Sequence, residues 1–380
     1  MTARVLIHVQ HLLGTGHLQR AGLIARALVA EGAAVTLVTG GMPLPGFGLD
    51  GGRVVQLPPL RATDASFRTL VGLDDRPLDA AVQAERRQLV LDAFARSRPD
   101  IVVTETYPFG RRALRFELEP LIDAVRAAVP RPILVASIRD ILVAKADPAK
   151  RRAMVERFCA DYDRVLVHAD PRLIRLEASL PEAIELAGRI RYTGFVAPVA
   201  APPGPEIPHG EVVVSAGGGV VGAALLQAAL AARPLTRHAA TSWRLITGRN
   251  LPESDFTALV RAGGDGVTVE RFRPDLPALF RRAALSISQA GYNTAVELLQ
   301  ARVPMVLVPF AEAAETEQTL RARLLAAAGM AQMVEADALG PQTLAAAIDR
   351  AQLPPPLAVD LDGAGHSARA ILQMVAERTP

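Results

Sequence analysis

The sequence predicts an α/β protein of two doubly wound domains, and three observations support that fold class. The chain has 380 residues, which is long for a single hydrophobic core. Both halves open with a short apolar strand, a glycine-rich turn and a helix, at residues 5–30 and again at 212–232. Residues 198–210 between them are rich in proline and show no periodicity, as is typical of a linker. We therefore expect two Rossmann-like domains of similar size.

The first half alternates short apolar runs with helical patterns, as parallel sheets do. Glycine and proline between residues 40 and 52 predict a loop. The predicted strands are 5–9, 34–39, 54–57, 101–104, 133–137 and 164–168, and the predicted helices are 18–30, 78–95, 118–128 and 148–159.

The second half repeats the same alternation. Its predicted strands are 212–215, 243–247, 267–270, 285–287, 305–308 and 332–334, and its predicted helices are 221–232, 256–262, 294–299, 317–323, 342–351 and 364–377. We expect a first domain at 1–197, a linker at 198–210, a second domain at 211–363 and a terminal helix within 364–380.

The composition argues against binding of nucleic acid. The formal charge is only +3, and aromatic residues, on which bases stack, are 4% of the chain. No apolar run approaches the roughly 20 residues of a membrane span, and no signal segment opens the chain. We expect a cytoplasmic protein, with peripheral membrane contact left open.

The sequence offers no convincing metal site. Cys159 is the only cysteine, which excludes an internal disulfide and cysteine-based metal centres; its apolar neighbours Met154, Val155 and Phe158 predict a core position. No two histidines lie four residues apart on a predicted helix. The pair Asp161 and Asp163 precedes its strand and is interpreted as facing solvent.

A glycine loop before the helix at 221–232 predicts a phosphate site. Backbone N–H groups and the partial positive charge at a helix start bind phosphate. The loop comprises Ser215, Ala216, Gly217, Gly218 and Gly219. It lacks the Gly-Lys-Ser/Thr ending of a P-loop. The strand at 243–247 runs into Gly248 and Arg249 rather than an acidic residue, which disfavours a dinucleotide-dependent oxidoreductase.

The corresponding loop of the first half carries a histidine where its helix begins. Gly14, Thr15 and Gly16 precede His17, whose neutral imidazole can accept a proton from a hydroxyl group. The alternative is that His17 only caps the helix. His11 could line this loop.

Two charged residues follow neighbouring strands of the same predicted sheet. Glu105 could act as a general base, pair with His17, bind a sugar hydroxyl, or be an ordinary solvated carboxylate. Arg139 could contact a substrate or pair with Asp140.

Residues 286–323 read as strand, glycine turn, helix, strand, loop and helix, which predicts a ligand-binding edge of a parallel sheet. This stretch and the glycine loops resemble the two-domain GT-B glycosyltransferases, and among them the MurG-like transferases of glycosyltransferase family 28. The similar residues are Gly14–His17, Ser215–Gly219, Arg271–Phe280, Ser288–Thr294 with Glu297, Pro304–Pro309 and Glu317–Gln318.

The resemblance implies two domains facing each other across a cleft, with the terminal helix crossing back to the first domain. It further implies an inverting transfer of a sugar from a nucleotide diphosphate sugar, such as UDP-N-acetylglucosamine, to a hydroxyl group, with no cofactor and no metal. The catalytic residues would be His17 and Glu105. The acceptor would contact His11, Gly14, Thr15, Gly16 and Arg139. The donor would contact Ser215, Gly217, Gly218, Gly219, Gly248, Phe272, Gly291, Tyr292, Asn293, Thr294, Glu297, Glu317 and Gln318.

More specific roles follow from the same resemblance. Glu297 would accept both ribose hydroxyls, Phe272 would border the base, and Gln318 would bind the sugar. The chain departs from the family pattern at Ala290 to Tyr292, where Ser-Gly-Ala is usual, and at Glu317, where glutamine is usual. Neither the sugar nor the acceptor is therefore fixed. The alternatives on the same fold are a UDP-sugar hydrolase, a 2-epimerase, or a non-catalytic protein that binds nucleotide sugars.

Overall fold

The apolar runs of the first half form a seven-stranded parallel sheet. The computed structural model describes residues 2–63, 69–143, 147–198, 210–217, 222–310, 316–356 and 358–378. The strands are β1 (Arg4–Val9), β2 (Ala34–Thr39), β3 (Arg53–Gln56), β4 (Arg61–Ala62), β5 (Leu70–Val71), β6 (Ile101–Glu105), β7 (Ile133–Arg139), β8 (Arg164–His168) and β9 (Ile190–Tyr192). The order in the sheet is β3-β2-β1-β6-β7-β8-β9, and β4 and β5 form a separate antiparallel pair. The central strands are almost wholly buried, as expected when helices cover both faces.

Helices connect these strands, and two of them begin at an aspartate that caps the first turn. They are α1 (Gly16–Ala30), α2 (Ala80–Ser97), α3 (Arg115–Ala127) and α4 (Pro148–Asp161). The carboxylate of Asp79 accepts a hydrogen bond from the Val82 amide at 2.8 Å at the start of α2. Asp147 caps α4 in the same way through the Ala149 amide, with Pro148 in the first turn, where no N–H is needed.

The second half forms a six-stranded parallel sheet. Its elements are β10 (Val212–Ser215), α5 (Ala223–Ala232), β11 (Trp243–Ile246), α6 (Glu253–Gly263), β12 (Val267–Glu270), α7 (Leu276–Arg282), β13 (Leu285–Ser288), α8 (Tyr292–Ala301), β14 (Met305–Leu307), α9 (Glu317–Ala327), β15 (Gln332–Met333) and α10 (Pro341–Arg350). The order in the sheet is β12-β11-β10-β13-β14-β15. The order reverses at β10, as at the ligand-binding switch point of doubly wound sheets.

The final helix, α11 (Gly363–Ala376), packs on α1 through Ala368 and Ile371. Gly363 allows that packing, because a Cβ atom there would lie 2.5 Å from the carbonyl oxygen of Gly194. Two compact units result: unit 1 comprises residues 1–171, 175–196 and 362–380, and unit 2 comprises 172–174 and 197–361.

Two residue environments and four short elements differ from the sequence-based predictions. Cys159 is exposed rather than in the core, because α4 buries Val155 and Phe158 on one face and turns Cys159 to solvent. Asp161 is buried rather than solvent-facing and accepts a 2.6 Å hydrogen bond from Nε of Arg157. The sequence predicts none of β4, β5, β9 and α7, which have two to seven residues and so show little periodicity.

Candidate active site

The carboxyl edge of the unit 1 sheet brings His17 and Glu105 into contact. Strands β1 and β6 are parallel neighbours, and the loop after β1 leads directly into α1, which begins beside the end of β6. The Nδ1 atom of His17 lies 2.8 Å from Oε1 of Glu105. Glu105 is therefore a buried partner of His17 rather than a solvated carboxylate.

Glu105 is held as a carboxylate. Burial alone would raise its pKa, but the neighbouring His17 and Arg20 more than offset that effect and place the pKa well below its usual range. Arg20 contacts Oε1, and the hydroxyl of Thr106 donates to Oε2 at 2.8 Å. A carboxylate can only accept, so Nδ1 of His17 carries the proton and donates it to Glu105.

The remaining ring nitrogen of His17 is then an unprotonated acceptor. The pKa of His17 is lowered to about 3, chiefly by burial. The negative charge of Glu105 acts in the opposite direction, and the positive charges of Arg111 and Arg139 lower the pKa further. The imidazole is thus neutral at neutral pH, and its Nε2 makes no hydrogen bond to another described residue. The side chain is 17% exposed, so a substrate can reach the ring. This arrangement can accept a proton from a hydroxyl group.

Arg20, Arg111 and Arg139 are the basic residues of this site. Arg139, the last residue of β7, is half-buried and acts on His17 through its charge. Sequence reasoning missed Arg20 and Arg111. Arg20 could have been found, because it lies three residues after His17 on the same helix and therefore shares a face with it.

The loop between β1 and α1 holds the residues predicted to contact the acceptor. Gly14, Thr15 and Gly16 lie in or beside the turn where α1 begins, and Thr15 makes no side-chain cap. His11 is buried, and its Nε2 hydrogen bonds to the Met42 carbonyl at 3.0 Å. His11 thus supports the loop from inside.

A fully buried arginine holds the start of this loop. All five N–H groups of Arg86 are used: Nε and Nη2 donate to the two oxygens of Glu117 at 2.7 and 2.8 Å, Nη2 also donates to Oε1 of Gln10 at 2.8 Å, and Nη1 donates to the carbonyls of Gly40 and Pro58. Gln10 in turn donates to the His11 carbonyl at 2.7 Å. The segments that follow β1, β2 and β3 are therefore tied together.

Replacing Arg86 by methionine should lower the free energy of unfolding by about 3–5 kcal/mol, because the buried Glu117 carboxylate would lose both hydrogen bonds from the arginine and keep only the one with His8. Denaturant unfolding measures the change. The exposed neighbour Arg87 provides the control, and R87M should change stability by less than about 0.5 kcal/mol. Adding E117Q to R86M should recover part of the loss; equal losses in R86M and R87M would contradict this account.

Another buried histidine lies two strands from Glu105. His168 at the end of β8 is fully buried between the hydroxyls of Ser137 (2.7 Å) and Thr193 (2.9 Å). Burial lowers its pKa to about 3, and Arg20 adds to the effect. The folded protein therefore resists protonation that the unfolded chain accepts near pH 6.5.

Stability should consequently fall as the pH drops below 6.5. Because the unfolded chain binds the proton first, His168 should cost about 2 kcal/mol of unfolding free energy between pH 7 and pH 5. Denaturant unfolding of wild type and H168Q at both pH values isolates this contribution, since glutamine does not titrate. The same loss in both proteins would contradict the assignment.

In unit 2, the parallel register brings the predicted donor residues to one edge. Ser215 pairs in register with Ile246 and Ser288, and these pair with Glu270 and Leu307. The loops that follow these strands therefore share the carboxyl edge. Gly217 lies in the left-handed region with φ of +63°, a backbone conformation that favours glycine. Gly248 follows β11 at this edge; Gly218 and Gly219 lie outside the described residues.

The start of α8 lies at the same edge, with Gly291 at its N-cap position. Tyr292 is buried, and Asn293 and Thr294 are half-buried in the first turn. Glu297, one turn further, is half-buried and makes no hydrogen bond or ion pair with a described residue. Burial raises the pKa of Glu297 to about 7. A desolvated carboxylate without a partner is suited to bind hydroxyl groups of a ligand.

Phe272 follows β12 and is 50% exposed. The guanidinium carbon of Arg249 lies 3.8 Å from the centre of its ring. This flat exposed pair lies at the edge shared with Ser215 and Gly248. Sequence reasoning did not single out Arg249 as a site residue, because the contact joins loops 23 residues apart.

The helix α9 begins with Glu317 and Gln318. Glu317 is buried and interacts with neighbouring groups. The side-chain oxygen of Gln318 accepts a 3.2 Å hydrogen bond from the Phe310 amide, so its NH2 group remains available as a donor.

The described residues contain no group of three or more His, Cys, Asp or Glu side chains arranged to hold a metal ion. No helix within the described ranges combines the length and apolarity that a bilayer crossing requires.

The fold is shared with solved glycosyltransferases. The calicheamicin glycosyltransferase CalG4 matches over 100% of both chains, with a TM-score of 0.63 and 16% identity. The MurG of Acinetobacter baumannii matches over 97% of this chain and 95% of its own, with a TM-score of 0.58 and 15% identity. The protein has the two-domain α/β GT-B fold, as predicted.

Within that class, residues 212–370 match the model of the glycosyltransferase family 28 C-terminal domain, so this part of the chain is a family 28 domain and the predicted resemblance is confirmed. Two bacterial relatives are named UDP-N-acetylglucosamine–N-acetylmuramyl-(pentapeptide) pyrophosphoryl-undecaprenol N-acetylglucosamine transferase. The one from Ralstonia nicotianae is 33% identical over 210 residues, which cover 50% of this chain and 54% of the relative. The one from Anaeromyxobacter sp. is 41% identical over 88 residues, 23% of each chain. The chain thus spans about half the length of the first relative and less of the second.

Proposed function

We propose that this protein is an inverting glycosyltransferase that moves a sugar from a UDP-sugar to a hydroxyl group of an acceptor. The observation that carries the proposal is the pairing of His17 with Glu105, which leaves a neutral imidazole nitrogen accessible. A proton acceptor at this edge is what activation of a hydroxyl nucleophile requires. The family 28 match of residues 212–370 supports a nucleotide sugar as the donor.

The reaction is a single displacement at C1 of the sugar. The acceptor oxygen forms a bond to C1 while the bond from C1 to the phosphate oxygen breaks, which inverts the anomeric centre. The acceptor proton goes to Nε2 of His17, and the imidazolium that forms is stabilised by Glu105 across the Nδ1 hydrogen bond. UDP leaves with the bonding electrons.

Unit 2 supplies the donor site. Glu297 accepts hydrogen bonds from the ribose hydroxyls, Phe272 borders the base, and the amide of Gln318 donates to the sugar. The backbone around Gly217 and the start of α5 hold the diphosphate, so the negative charge of departing UDP is stabilised by N–H groups and the helix dipole. We propose that no metal ion is required.

UDP-N-acetylglucosamine is the first donor to test, because the relatives are named for that donor. The family match says nothing about the acceptor, because it covers residues 212–370 and the proposed acceptor residues precede that range. Gly14, Thr15, Gly16 and Arg139 are the proposed contacts, whereas the buried His11 supports the loop that carries them.

Transfer is tested by incubating the protein with UDP-sugars and a panel of hydroxyl acceptors, with and without a chelator, and measuring UDP and glycosylated product. We expect UDP release that depends on an acceptor, yields product with inverted configuration and is unaffected by the chelator. Rapid stoichiometric release of free sugar without an acceptor would identify a hydrolase, and release of an epimerised sugar a 2-epimerase. Either result would overturn the proposal.

A further inference from the structure

We propose that Arg321 is a positioning residue of the donor site. It fastens the turn at residues 289–291, which precedes α8, to the first turns of α9, which carry Gln318. The inference rests on the proposed function, because it concerns the site assigned there to the nucleotide sugar.

Arg321 is buried and reaches across to the turn. Its side chain is fully enclosed, and Nη1 donates a 2.7 Å hydrogen bond to the carbonyl of Ala290. Its guanidinium carbon lies 5.8 Å from the centre of the Tyr292 ring. The arginine thus contacts residues on both sides of Gly291, the N-cap residue of α8.

The turn at residues 289–291 also contacts the loop after β10, which is proposed to hold the diphosphate. The amide of Gln289 donates to the Ser215 carbonyl at 3.2 Å. Its side-chain oxygen lies beside Gly217, 3.3 Å from where a Cβ atom of that residue would be. Any displacement of residues 289–291 would therefore disturb the proposed diphosphate site.

On its other side, Arg321 belongs to the helix proposed to bind the sugar. Glu317 lies four residues earlier on α9, which places both side chains on one face, and both are buried. Gln318 is fixed by the Phe310 amide, so the direction of its NH2 group depends on where α9 lies. The ribose end and the sugar end of the donor are consequently held at a constant spacing.

Replacing a buried arginine alone destabilises a fold wherever it lies, because its partners remain buried without it. A fall in stability would therefore not by itself distinguish a positioning role from a purely structural one. What an apolar side chain cannot do is bind the Ala290 carbonyl and thereby fix the turn. The geometry therefore points to a role in donor affinity, where small displacements are costly.

The test compares R321M, R321K and wild type by calorimetric titration with UDP and with UDP-N-acetylglucosamine, or whichever UDP-sugar wild type binds. We expect R321M to weaken UDP-sugar binding at least tenfold, and to weaken UDP binding less, because the contribution of Gln318 is lost. R321K retains a donor and should show a smaller loss. R321M and Q318A should be non-additive for the UDP-sugar, since both remove the same contact.

Arg323 supplies the matched control, because it lies on the same helix but is exposed and paired with Glu335 at 2.9 Å. R323M should bind both ligands as wild type does. If R321M does not fold, the proposal is tested with R321K alone, which should bind the UDP-sugar measurably less tightly than wild type does. Wild-type affinity in a folded Arg321 variant would overturn the proposal even if its melting temperature fell. Failure of wild type to bind any UDP compound would instead overturn the proposed function.

Discussion

Alanine in place of His17 should lower the rate of sugar transfer by roughly 10²- to 10⁴-fold, the usual effect of removing a general base. The reason is that Nε2 of His17 is the neutral acceptor oriented by Glu105 at 2.8 Å. The donor residues lie on unit 2, so the affinity for a UDP-sugar should not change. UDP release at saturating donor measures the rate, and calorimetry measures the affinity.

Glutamine in place of Glu105 tests the same pair from its other side. An amide can present its NH2 group to Nδ1, which favours the tautomer with the proton on Nε2 and blocks proton acceptance. We expect a loss of about 10²-fold or more in E105Q. H238A is the control, because His238 precedes β11 and lies away from the carboxyl edge. Full activity in H17A would contradict the proposed role, as would equal losses in H17A and H238A.

Glutamine in place of Glu297 should weaken UDP-sugar binding by about 2 kcal/mol, roughly 30-fold, because charge-assisted hydrogen bonds to the ribose become neutral ones. The same carboxyl group should make wild-type binding depend on pH. Burial raises its pKa to about 7, and the ribose hydroxyls favour the ionised form. Affinity should therefore be full above pH 7 and about tenfold weaker at pH 6 than at pH 8.

A UDP-sugar is the right ligand for this measurement, because its diphosphate is esterified at both ends and does not titrate in that range. E297Q should bind with the same affinity at both pH values. The change to glutamine should lower the affinity for a dTDP-sugar, which lacks the ribose 2′-hydroxyl, less than the affinity for a UDP-sugar. E85Q, on the exposed face of α2, is the control. Wild-type affinity and pH dependence in E297Q would refute the ribose assignment.

The sequence predicts much of this architecture because parallel sheets covered on both faces have strong local signals. The strands at 34–39, 164–168, 212–215 and 267–270 are found with the predicted bounds, since each is a short apolar run between turn residues. Elements with little periodicity, such as β9 and α7, are missed. Cys159 is misplaced because its apolar neighbours on α4 face the core while it does not.

The candidate site divides in a similar way. The sequence predicts the glycine turns at strand ends and the site residues that follow them, because the sheet edge that they share follows from topology. Side-chain contacts between residues far apart in the sequence cannot be predicted in this way. The spacing of three residues places Arg20 on the face of α1 that carries His17, but the contacts of Arg249 with Phe272 and of Arg321 with Ala290 depend on side-chain directions that no local pattern encodes. The clustering of arginine around one buried carboxylate is therefore a structural finding.

The proposed nucleotide-sugar site at the carboxyl edge of the unit 2 sheet can be tested by titrating UDP-sugars into the wild-type protein in a calorimeter. We expect saturable binding at one site per chain, weaker for sugars joined to other bases and weaker at pH 6 than at pH 8. The same ligand at 100 times its Kd should stabilise the fold by about 2.7 kcal/mol in thermal unfolding. Absence of both binding heat and thermal shift with every UDP and TDP compound tested would refute the proposed nucleotide-sugar site.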